Sequence, residues 1–266
     1  MTLVPVATVK LNNRQQQILQ LISAEQFVSV ELLTQHFQVT AQTVRRDITQ
    51  LCDLGLARRH HGGAGQLPSA ENLSFGNRRV INAEAKQLIA QRIAADIPDN
   101  ASLALGIGTT IEAVAKALLD KKGLKIITNN LNVASIFFQS SDAQVQVSGG
   151  KLRPLDQDLV GDQVVSFFNS YFTDYAIVSV GALDQQRGLM DFDMDNVAIT
   201  QSILNNSGKK LLAVDDSKWN KKSFACVATF DNIDKFYTDQ LPAADICLSL
   251  DSKKVQIIVC DQEKPK

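Results

Sequence analysis

The first sixty residues carry apolar side chains at the spacing of three short amphipathic helices. The clearest case is the third, where Val44, Ile48 and Leu51 recur at i, i+4 and i+7. Ser29 and Thr40 precede the second and third helical patterns, where a hydroxyl can accept a hydrogen bond from the first helical turn. The pattern predicts a three-helix unit whose last two helices are separated by a tight turn at residues 38–39.

An extended basic segment, residues 56–61, follows the third helix and ends at Gly62-Gly63. The glycine pair predicts the tip of a β-hairpin, so that the basic side chains stand on a wing beside the helices. Residues 62–77 are rich in Gly, Ser, Asn and Pro, a composition typical of a link between domains. We therefore predict a first domain at residues 1–64, a linker at residues 65–79 and a second domain at residues 80–266.

From Ala83 onward, apolar strand-like runs alternate with helical patterns. Such alternation predicts an α/β domain whose parallel or mixed sheet is covered by helices on both faces. The predicted strands are Ser102–Ile107, Leu124–Thr128, Gln144–Ser148, Tyr175–Val180, Lys210–Val214, Phe224–Thr229, Phe236–Thr238 and Val255–Cys260. The predicted helices are Glu84–Ile97, Thr110–Leu119, Asn132–Phe138, Val164–Tyr171 and Asn196–Asn206.

Composition narrows the class of protein. Hydrophobic residues make up 45% of the chain, yet no apolar run approaches the ~18 residues that span a membrane, and no signal peptide is evident. The four cysteines are scattered without a CxxC pair, which indicates reduced, mostly buried thiols. We therefore expect a cytoplasmic protein with no cofactor and no membrane association.

His60 and His61 are not expected to bind a metal, because adjacent strand residues point to opposite faces.

The formal net charge of −1 hides an asymmetry between the two predicted domains. Residues 1–79 carry 8 basic and 5 acidic side chains, whereas the remaining residues carry 19 and 23. Seven of the ten arginines and all three histidines also lie in the first 79 residues. Because the first domain is basic and the second is acidic, the charge distribution indicates that the first domain binds a polyanion.

Residues 29–51, SVELLTQHFQVTAQTVRRDITQL, have the pattern of a helix-turn-helix. The second helix of that motif enters the major groove of DNA, where Gln42 could pair with adenine and an arginine with guanine. Taken singly, each of these residues fits a solvated helix surface equally well, but their order along the chain favours DNA binding. The predicted contacts to a double-stranded operator are Thr40, Gln42, Thr43, Arg45, Arg46, Arg58, Arg59, His60 and His61.

The second domain opens with LALGIGTTIEAVAKAL, the pattern of a strand, a glycine-rich turn and a helix. Backbone N–H groups at such a turn bind anions, although each glycine alone also fits a simple tight turn. A dinucleotide-binding fingerprint is excluded because Ile111 stands where its third glycine belongs. The next strands also end in polar turns, and open α/β sheets bind ligands at those ends. The candidate effector residues are Gly108, Thr109, Thr110, Asn129, Asn130, Gly149, Gly150, and the cations Arg153 and Lys218.

The chain resembles the DeoR family of bacterial repressors. The resemblance rests in the first domain on TAQTVRRDITQL and LARRHHGGA. In the second domain it rests on five segments that follow in the family's order: GIGTTIEAVAKAL, TNNLNVA, SGGKLRPLDQDLVGD, SVGALD and AVDDSKW. The resemblance implies a winged helix-turn-helix joined to a sugar-phosphate-sensing domain with the fold of ribose-5-phosphate isomerase and CoA transferases. It also implies a repressor of carbon metabolism, in particular of glycerol genes, that glycerol 3-phosphate or a related sugar phosphate releases from DNA. Gly106 departs from the pattern, because the family usually carries an acidic residue there, and Asn220 replaces a more usual glycine.

The sequence also bears on assembly and on other functions. A palindromic operator would need a homodimer or homotetramer, which presents two recognition helices one DNA turn apart. An isomerase-type enzyme would need a positioned base or nucleophile, but residues 80–266 contain no histidine. The run Asp191, Asp193 and Asp195 also fits a solvated or subunit-facing loop. A DNA-binding protein that senses nothing is a third possibility, which the departure at Gly106 keeps open.

Overall fold

The structure, a computed structural model, describes residues 11–25, 27–54, 56–60, 62–65, 78–79, 81–138, 142–154, 156–219 and 221–261. The chain forms two compact units, residues 1–83 and 84–266. Two positions singled out from the sequence, His61 and Asn220, lie outside the described residues, together with most of the predicted linker.

The first unit consists of three helices and a small antiparallel sheet. The helices are α1 (Asn13–Glu25), α2 (Val30–Phe37) and α3 (Ala41–Asp53). The strands are β1 (Phe27–Ser29), β2 (Arg58–His60) and β3 (Gly63–Gly65), paired in the order β1-β3-β2. Ile18, Leu33, Val44 and Leu51 are fully buried at the centre of this unit. The predicted three helices and basic hairpin are confirmed.

Both predicted caps are present. The Ser29 hydroxyl accepts a hydrogen bond from the Leu32 N–H, and the Thr40 hydroxyl accepts one from the Thr43 N–H. Gln38 ends α2 in the left-handed conformation at φ 51°, which turns the chain sharply into α3. On α2, Leu33 is fully buried in the core, whereas the neighbouring Leu32 is 45% exposed.

The second unit is built on a seven-stranded sheet. Its strands are β4 (Ser102–Leu105), β5 (Lys125–Thr128), β6 (Gln144–Val147), β9 (Thr173–Val178), β12 (Ser207–Ala213), β14 (Lys235–Thr238) and β15 (Gln256–Val259). Their spatial order is β15-β14-β12-β9-β4-β5-β6, and every neighbouring pair is parallel. The predicted α/β class with a parallel sheet is confirmed.

Helices cover both faces of this sheet. One face carries α4 (Ala83–Asp96), α5 (Thr109–Ala117) and α6 (Leu131–Phe137), and the other α7 (Asp162–Asn169), α8 (Met194–Asn205) and α9 (Ala244–Ser252). The chain leaves β4 toward β5 on one side and later returns to β9 on the other. Open α/β sheets bind ligands beside such a reversal of strand order, which here lies at the carboxyl ends of β4 and β9.

Two hairpins and one helix were not predicted. The antiparallel pair β7 (Lys151–Arg153) and β8 (Asp158–Val160) follows β6. A second small sheet pairs β10 (Ala182–Asp184), β11 (Gly188–Asp191) and β13 (Ala225–Ala228). The strands of these hairpins lack the continuous apolar runs that predict the buried strands of the large sheet, and α9 has a mixed pattern. Only Cys260 of the four cysteines is buried, and Cys226 is exposed.

Within the part of the chain that the structure describes, no helix is long and apolar enough to cross a membrane.

Gly63 brings two strands of the first unit into close approach. A Cβ added there would lie 2.1 Å from the Val28 carbonyl oxygen and 2.8 Å from the Phe27 ring. We therefore expect Gly63→Ala to lower the free energy of unfolding of the first unit by about 1–3 kcal/mol. Urea unfolding followed by circular dichroism measures this loss.

Gly62→Asn is the matched control. Gly62 has φ +84°, and nothing lies within 4 Å of the place that a Cβ would occupy. Asparagine tolerates this left-handed region of the backbone. A loss no larger for Gly63→Ala than for this control would contradict the close approach.

Candidate nucleic-acid interface and effector site

The outer face of α3 presents the predicted recognition side chains. Gln42, Arg45 and Arg46 are exposed, while Val44 and Ile48 on the same helix are buried in the core. Because the core holds one side of α3, the polar side chains between the buried positions point outward. This is the arrangement that a helix needs in order to reach base edges in a major groove.

The beginning of α3 concentrates hydrogen-bond donors. The Thr40 and Thr43 hydroxyl oxygens lie 2.9 Å apart, and the Thr43 N–H donates to Thr40 Oγ1 at 3.3 Å. Thr40 is exposed, so this end of the helix is open to solvent. A helix N-terminus with hydroxyl groups beside it is suited to a DNA phosphate.

The wing is tied to α3 by a contact that the sequence did not reveal. The Arg59 guanidinium donates to the Thr49 hydroxyl, which in turn donates to the Arg45 carbonyl oxygen at 2.7 Å. The His60 ring meets the edge of Phe27 with ring centroids 5.7 Å apart. Arg58, Arg59 and His60 are all exposed, so the wing offers a basic surface in addition to these anchors.

The sheet brings most of the predicted effector residues to one edge. Gly108–Thr110, Asn129-Asn130 and Gly149-Gly150 follow β4, β5 and β6, three adjacent parallel strands. Gly108 begins α5 at φ +108°, a conformation that favours glycine. Parallel strands end at the same edge, so these three turns are neighbours as expected.

Buried polar atoms at this edge lack partners. Asn129 Nδ2 donates to the Leu159 carbonyl oxygen at 2.8 Å, and Asn130 Oδ1 caps α6 by accepting from the Asn132 N–H at 2.9 Å. Among the described residues, no partner is found for Asn129 Oδ1, Asn130 Nδ2 or the Ser148 hydroxyl, all of which are buried. An unpaired buried polar group costs about 1–3 kcal/mol, so a polar ligand or water molecules at this edge would stabilise it.

Lys218 lies at a different part of the same edge. It ends the 3-10 turn Asp216–Lys218, which follows β12. Since β9 separates β12 from β4, the carboxyl ends of β12 and β4 lie about 10 Å apart. A ligand that contacts both would have to lie across the end of β9.

The structure argues against Arg153 as a phosphate-binding cation. Its guanidinium donates to both carboxylate oxygens of Asp158 at 3.0 and 2.6 Å and to Asp193 at 2.6 Å. It also donates to Asn196 Oδ1 at 2.7 Å. Carboxylates therefore already neutralise this charge, and Arg153 joins the β7–β8 hairpin to the beginning of α8.

The carboxylates before α8 also accept hydrogen bonds within the protein. Asp191 is 8% exposed, and its carboxylate accepts from the N–H of Gly181 at 3.2 Å and of Phe192 at 2.8 Å. Asp193 caps α8 by accepting from the Asp195 N–H at 2.8 Å. Asp191 therefore does not belong to a solvated loop, because its carboxylate is buried and organises the residues before α8.

A groove of about 1040 Å³ opens beside the ends of β12 and β14. It was not anticipated, and its walls include Arg187, Lys222, Trp219 and Phe224 rather than the predicted effector residues. The signal for it was the mixture of lysines and aromatic residues at positions 218–224. Within the described ranges, no three His, Cys, Asp or Glu side chains are grouped so as to hold a metal ion.

Comparison with known proteins gives the class and the family. Residues 14–69 match the DeoR-like helix-turn-helix domain, and residues 81–240 match the DeoR C terminal sensor domain. The chain is thus a DNA-binding transcriptional repressor with a sensor domain behind its helix-turn-helix. It belongs to the DeoR family.

Relatives of nearly the same length have this arrangement. The glycerol-3-phosphate regulon repressor of Escherichia coli (strain K12) is 34% identical over 251 residues, which cover 94% of this chain and 100% of that protein. The HTH-type transcriptional repressor CsqR of the same organism is 35% identical over 252 residues, covering 95% and 97%. Among solved structures, ribose 5-phosphate isomerase A of Methanocaldococcus jannaschii is 14% identical with a TM-score of 0.39, covering 52% of this chain and 55% of that one.

We expect Arg153→Met to destabilise the second unit by about 3–5 kcal/mol at pH 7, because it leaves a buried Asp158 carboxylate uncompensated. Burial raises the pKa of Asp158, against the lowering effect of Arg153. Protonation therefore removes the penalty, and the loss should shrink as the pH falls from 7 toward about 5. Urea unfolding at both pH values measures it.

Arg187→Met is the control for removing an arginine. The side chain of Arg187 is 66% exposed and its pair with Asp184 spans 3.3 Å at the surface. Such pairs contribute less than about 1 kcal/mol. Equal losses in the two variants, or a loss in Arg153→Met that does not change with pH, would contradict the buried role of the Arg153 pair.

Proposed function

We propose that this protein represses genes for the metabolism of glycerol or a related carbon source and leaves its operator when a phosphorylated metabolite binds. The observation that carries the DNA half is the outward row Gln42, Arg45 and Arg46 on a helix whose other side is buried. The names of the relatives support the repressor role, and one of them names the glycerol-3-phosphate regulon.

In this proposal, α3 lies in the major groove and the wing lies on the adjoining backbone. Arg45 or Arg46 pairs with guanine and Gln42 with adenine, while Thr40 and Thr43 hold phosphates. Arg58, Arg59 and His60 add sequence-independent attraction. A homodimer or homotetramer places two such helices on the two halves of a palindromic operator.

The proposed effector is glycerol 3-phosphate or a related sugar phosphate, bound at the carboxyl edge of the sheet. The glycine-rich turn and the beginning of α5 offer N–H groups to the phosphate. The unpaired Asn129 Oδ1, Asn130 Nδ2 and Ser148 hydroxyl match the mixed donor and acceptor character of hydroxyl groups. Lys218 supplies a cation from across β9.

Gly106 bears on the ligand rather than on the fold. A Cβ at this position would make only ordinary contacts, the nearest at 3.6 Å to the Ile177 carbonyl oxygen, and its backbone is not in the left-handed region. The chain therefore does not need glycine there for conformational reasons. Since identity to two differently named repressors is nearly equal, the effector is best tested among several phosphorylated polyols and sugars.

We further propose that the effector is bound without being turned over. The second domain has no histidine, and the carboxylates of Asp191 and Asp193 are engaged in hydrogen bonds that organise the loop before α8. Isomerisation or hydrolysis of sugar phosphates by the purified protein would overturn this.

Removal of a recognition arginine should weaken operator binding. We expect Arg45→Ala or Arg46→Ala to cost about 1–3 kcal/mol of specific affinity, because a bidentate base contact is lost. Fluorescence anisotropy with an operator duplex selected in vitro by the wild-type protein measures this. Arg92→Ala, which removes an arginine from α4 in the second unit, is the control. Unchanged affinity in both recognition variants would remove α3 from the interface.

Loss of the effector cation should uncouple sensing from DNA binding. We expect the Lys218→Ala variant to bind the operator with wild-type affinity. The concentration of the active sugar phosphate that releases half of the variant from DNA should rise at least about tenfold. The measurement is a titration of glycerol 3-phosphate and related compounds against the protein–DNA complex. Lys209→Ala, which removes an exposed lysine from β12, is the control and should respond normally. Full release of the Lys218 variant would place the phosphate elsewhere.

A further inference from the structure

The buried stripe of α3 contains one charged residue. Its buried positions are Val44, Asp47, Ile48 and Leu51, which repeat at i, i+3, i+4 and i+7. Asp47 is 4% exposed, although the other three positions are apolar. A carboxylate in this stripe is costly unless it is paired, and an apolar residue of similar volume commonly gives equal or better stability. Stability alone therefore does not explain the aspartate.

Two side chains from the first turn of α1 hold the Asp47 carboxylate. Arg14 Nε donates to Asp47 Oδ2 at 2.6 Å, and Gln15 Nε2 donates to Asp47 Oδ1 at 3.3 Å. Gln15 Nε2 also donates to Gln50 Oε1, one turn further along α3, at 2.5 Å. The two helices are thus connected by hydrogen bonds at two successive turns of α3.

Gln15 is itself fixed by the beginning of α1. Its N–H donates to Asn12 Oδ1 at 2.9 Å, and the Asn12 N–H donates back to Gln15 Oε1 at 3.1 Å. This reciprocal pair is a capping box, and it orients the Gln15 amide so that Nε2 faces α3. Because Gln15 is only 4% exposed, little room is left for another rotamer.

These contacts constrain the rotation of α3 about its own axis. Apolar packing is non-directional, so Val44, Ile48 and Leu51 alone would tolerate a small rotation. A rotation of about 20° moves an atom at the helix surface, some 5–6 Å from the axis, by about 2 Å. That shift exceeds the tolerance of a bidentate hydrogen bond to a base.

We propose that Asp47 is a positioning residue for sequence readout: bound by Arg14 and Gln15, it sets the rotation of α3 so that the adjacent Arg45 and Arg46 meet base edges in one register. The inference rests on the proposed role of α3 as the recognition helix. It assigns to Asp47 no contact with DNA, and its effect is therefore on discrimination between sequences rather than on attraction to the backbone.

Two variants separate positioning from folding. Asp47→Asn keeps the shape but removes the charge that binds Arg14. Arg14→Met/Asp47→Leu replaces the whole pair with apolar side chains, which is the change that commonly preserves stability. Asp53→Asn is the matched control, because it removes the same charge from an exposed position of the same helix.

The measurements are the dissociation constants for a selected operator duplex and for a scrambled duplex of equal length, over a range of salt concentrations, together with thermal unfolding. We expect both variants to be folded and to bind the scrambled duplex with wild-type affinity and salt dependence, since no phosphate contact is lost. The ratio of operator to scrambled affinity should fall at least about tenfold, the size of one good base contact. Asp53→Asn should keep the ratio.

A ratio within twofold of wild type in the apolar double variant would overturn the proposal. So would failure of both variants to fold, because the pair would then be a requirement of the domain rather than of readout. The proposed function fails in a different way, with Arg45→Ala and Arg46→Ala leaving operator affinity unchanged. If the arginine variants lose operator affinity but the Asp47 variants keep the ratio of operator to scrambled affinity, only the positioning role is refuted.

Discussion

Parallel hydrogen bonding of β4 to β5 on one side and to β9 on the other is the constraint from which the second unit follows. Parallel strands must be joined by crossovers, so helices are placed on both faces and the strands themselves are buried. All carboxyl ends then meet at one edge, where polar turns do not disturb the core. Every residue proposed to bind the effector lies on a loop or helix start at that edge, which explains how segments far apart in the chain become neighbours.

Pairs of a buried charged residue and its partner fix the orientation of elements that are not joined by backbone hydrogen bonds. Arg153 joins a two-stranded hairpin to the start of α8, and Asp47 joins α3 to the start of α1. In both cases an arginine and an aspartate that are distant in sequence meet, and one side chain of each pair is largely buried: Arg153 in the pair with Asp193 and Asp47 in the pair with Arg14. Directional bonds of this kind define an angle as well as a distance, which apolar contact alone does not.

Features that depend on neighbouring residues could be predicted from the sequence, whereas contacts between distant residues could not. Ser29 and Thr40 act as caps within three residues of their partners, so their roles could be predicted from spacing. The strand ends after β4, β5 and β6 could be predicted because apolar runs stop there. The partners of Arg153 could not, since Asp193 lies forty residues away and nothing periodic connects them. Arg153 was therefore predicted to serve a ligand when it serves the fold.

The same limit applies to the short strands and to Asp47. Strands β7, β8, β10 and β11 contain three or four residues each, and their pairing depends on the sheet that they pack against. Asp47 stands in an apolar register, yet periodicity gives no reason for a charge there. Its partners come from α1, which only the tertiary structure brings to it.

The division of α3 into a buried and an exposed side has a consequence for how such proteins diversify. Val44, Ile48 and Leu51 belong to the core, whereas Gln42, Arg45 and Arg46 face solvent on the same thirteen-residue helix. After gene duplication, substitutions on the exposed side can accumulate in one copy while both copies keep the packing of the parent. For the same reason, the exposed side chains of α3 can be exchanged between related proteins without rebuilding the core or the contacts of Asp47 with α1.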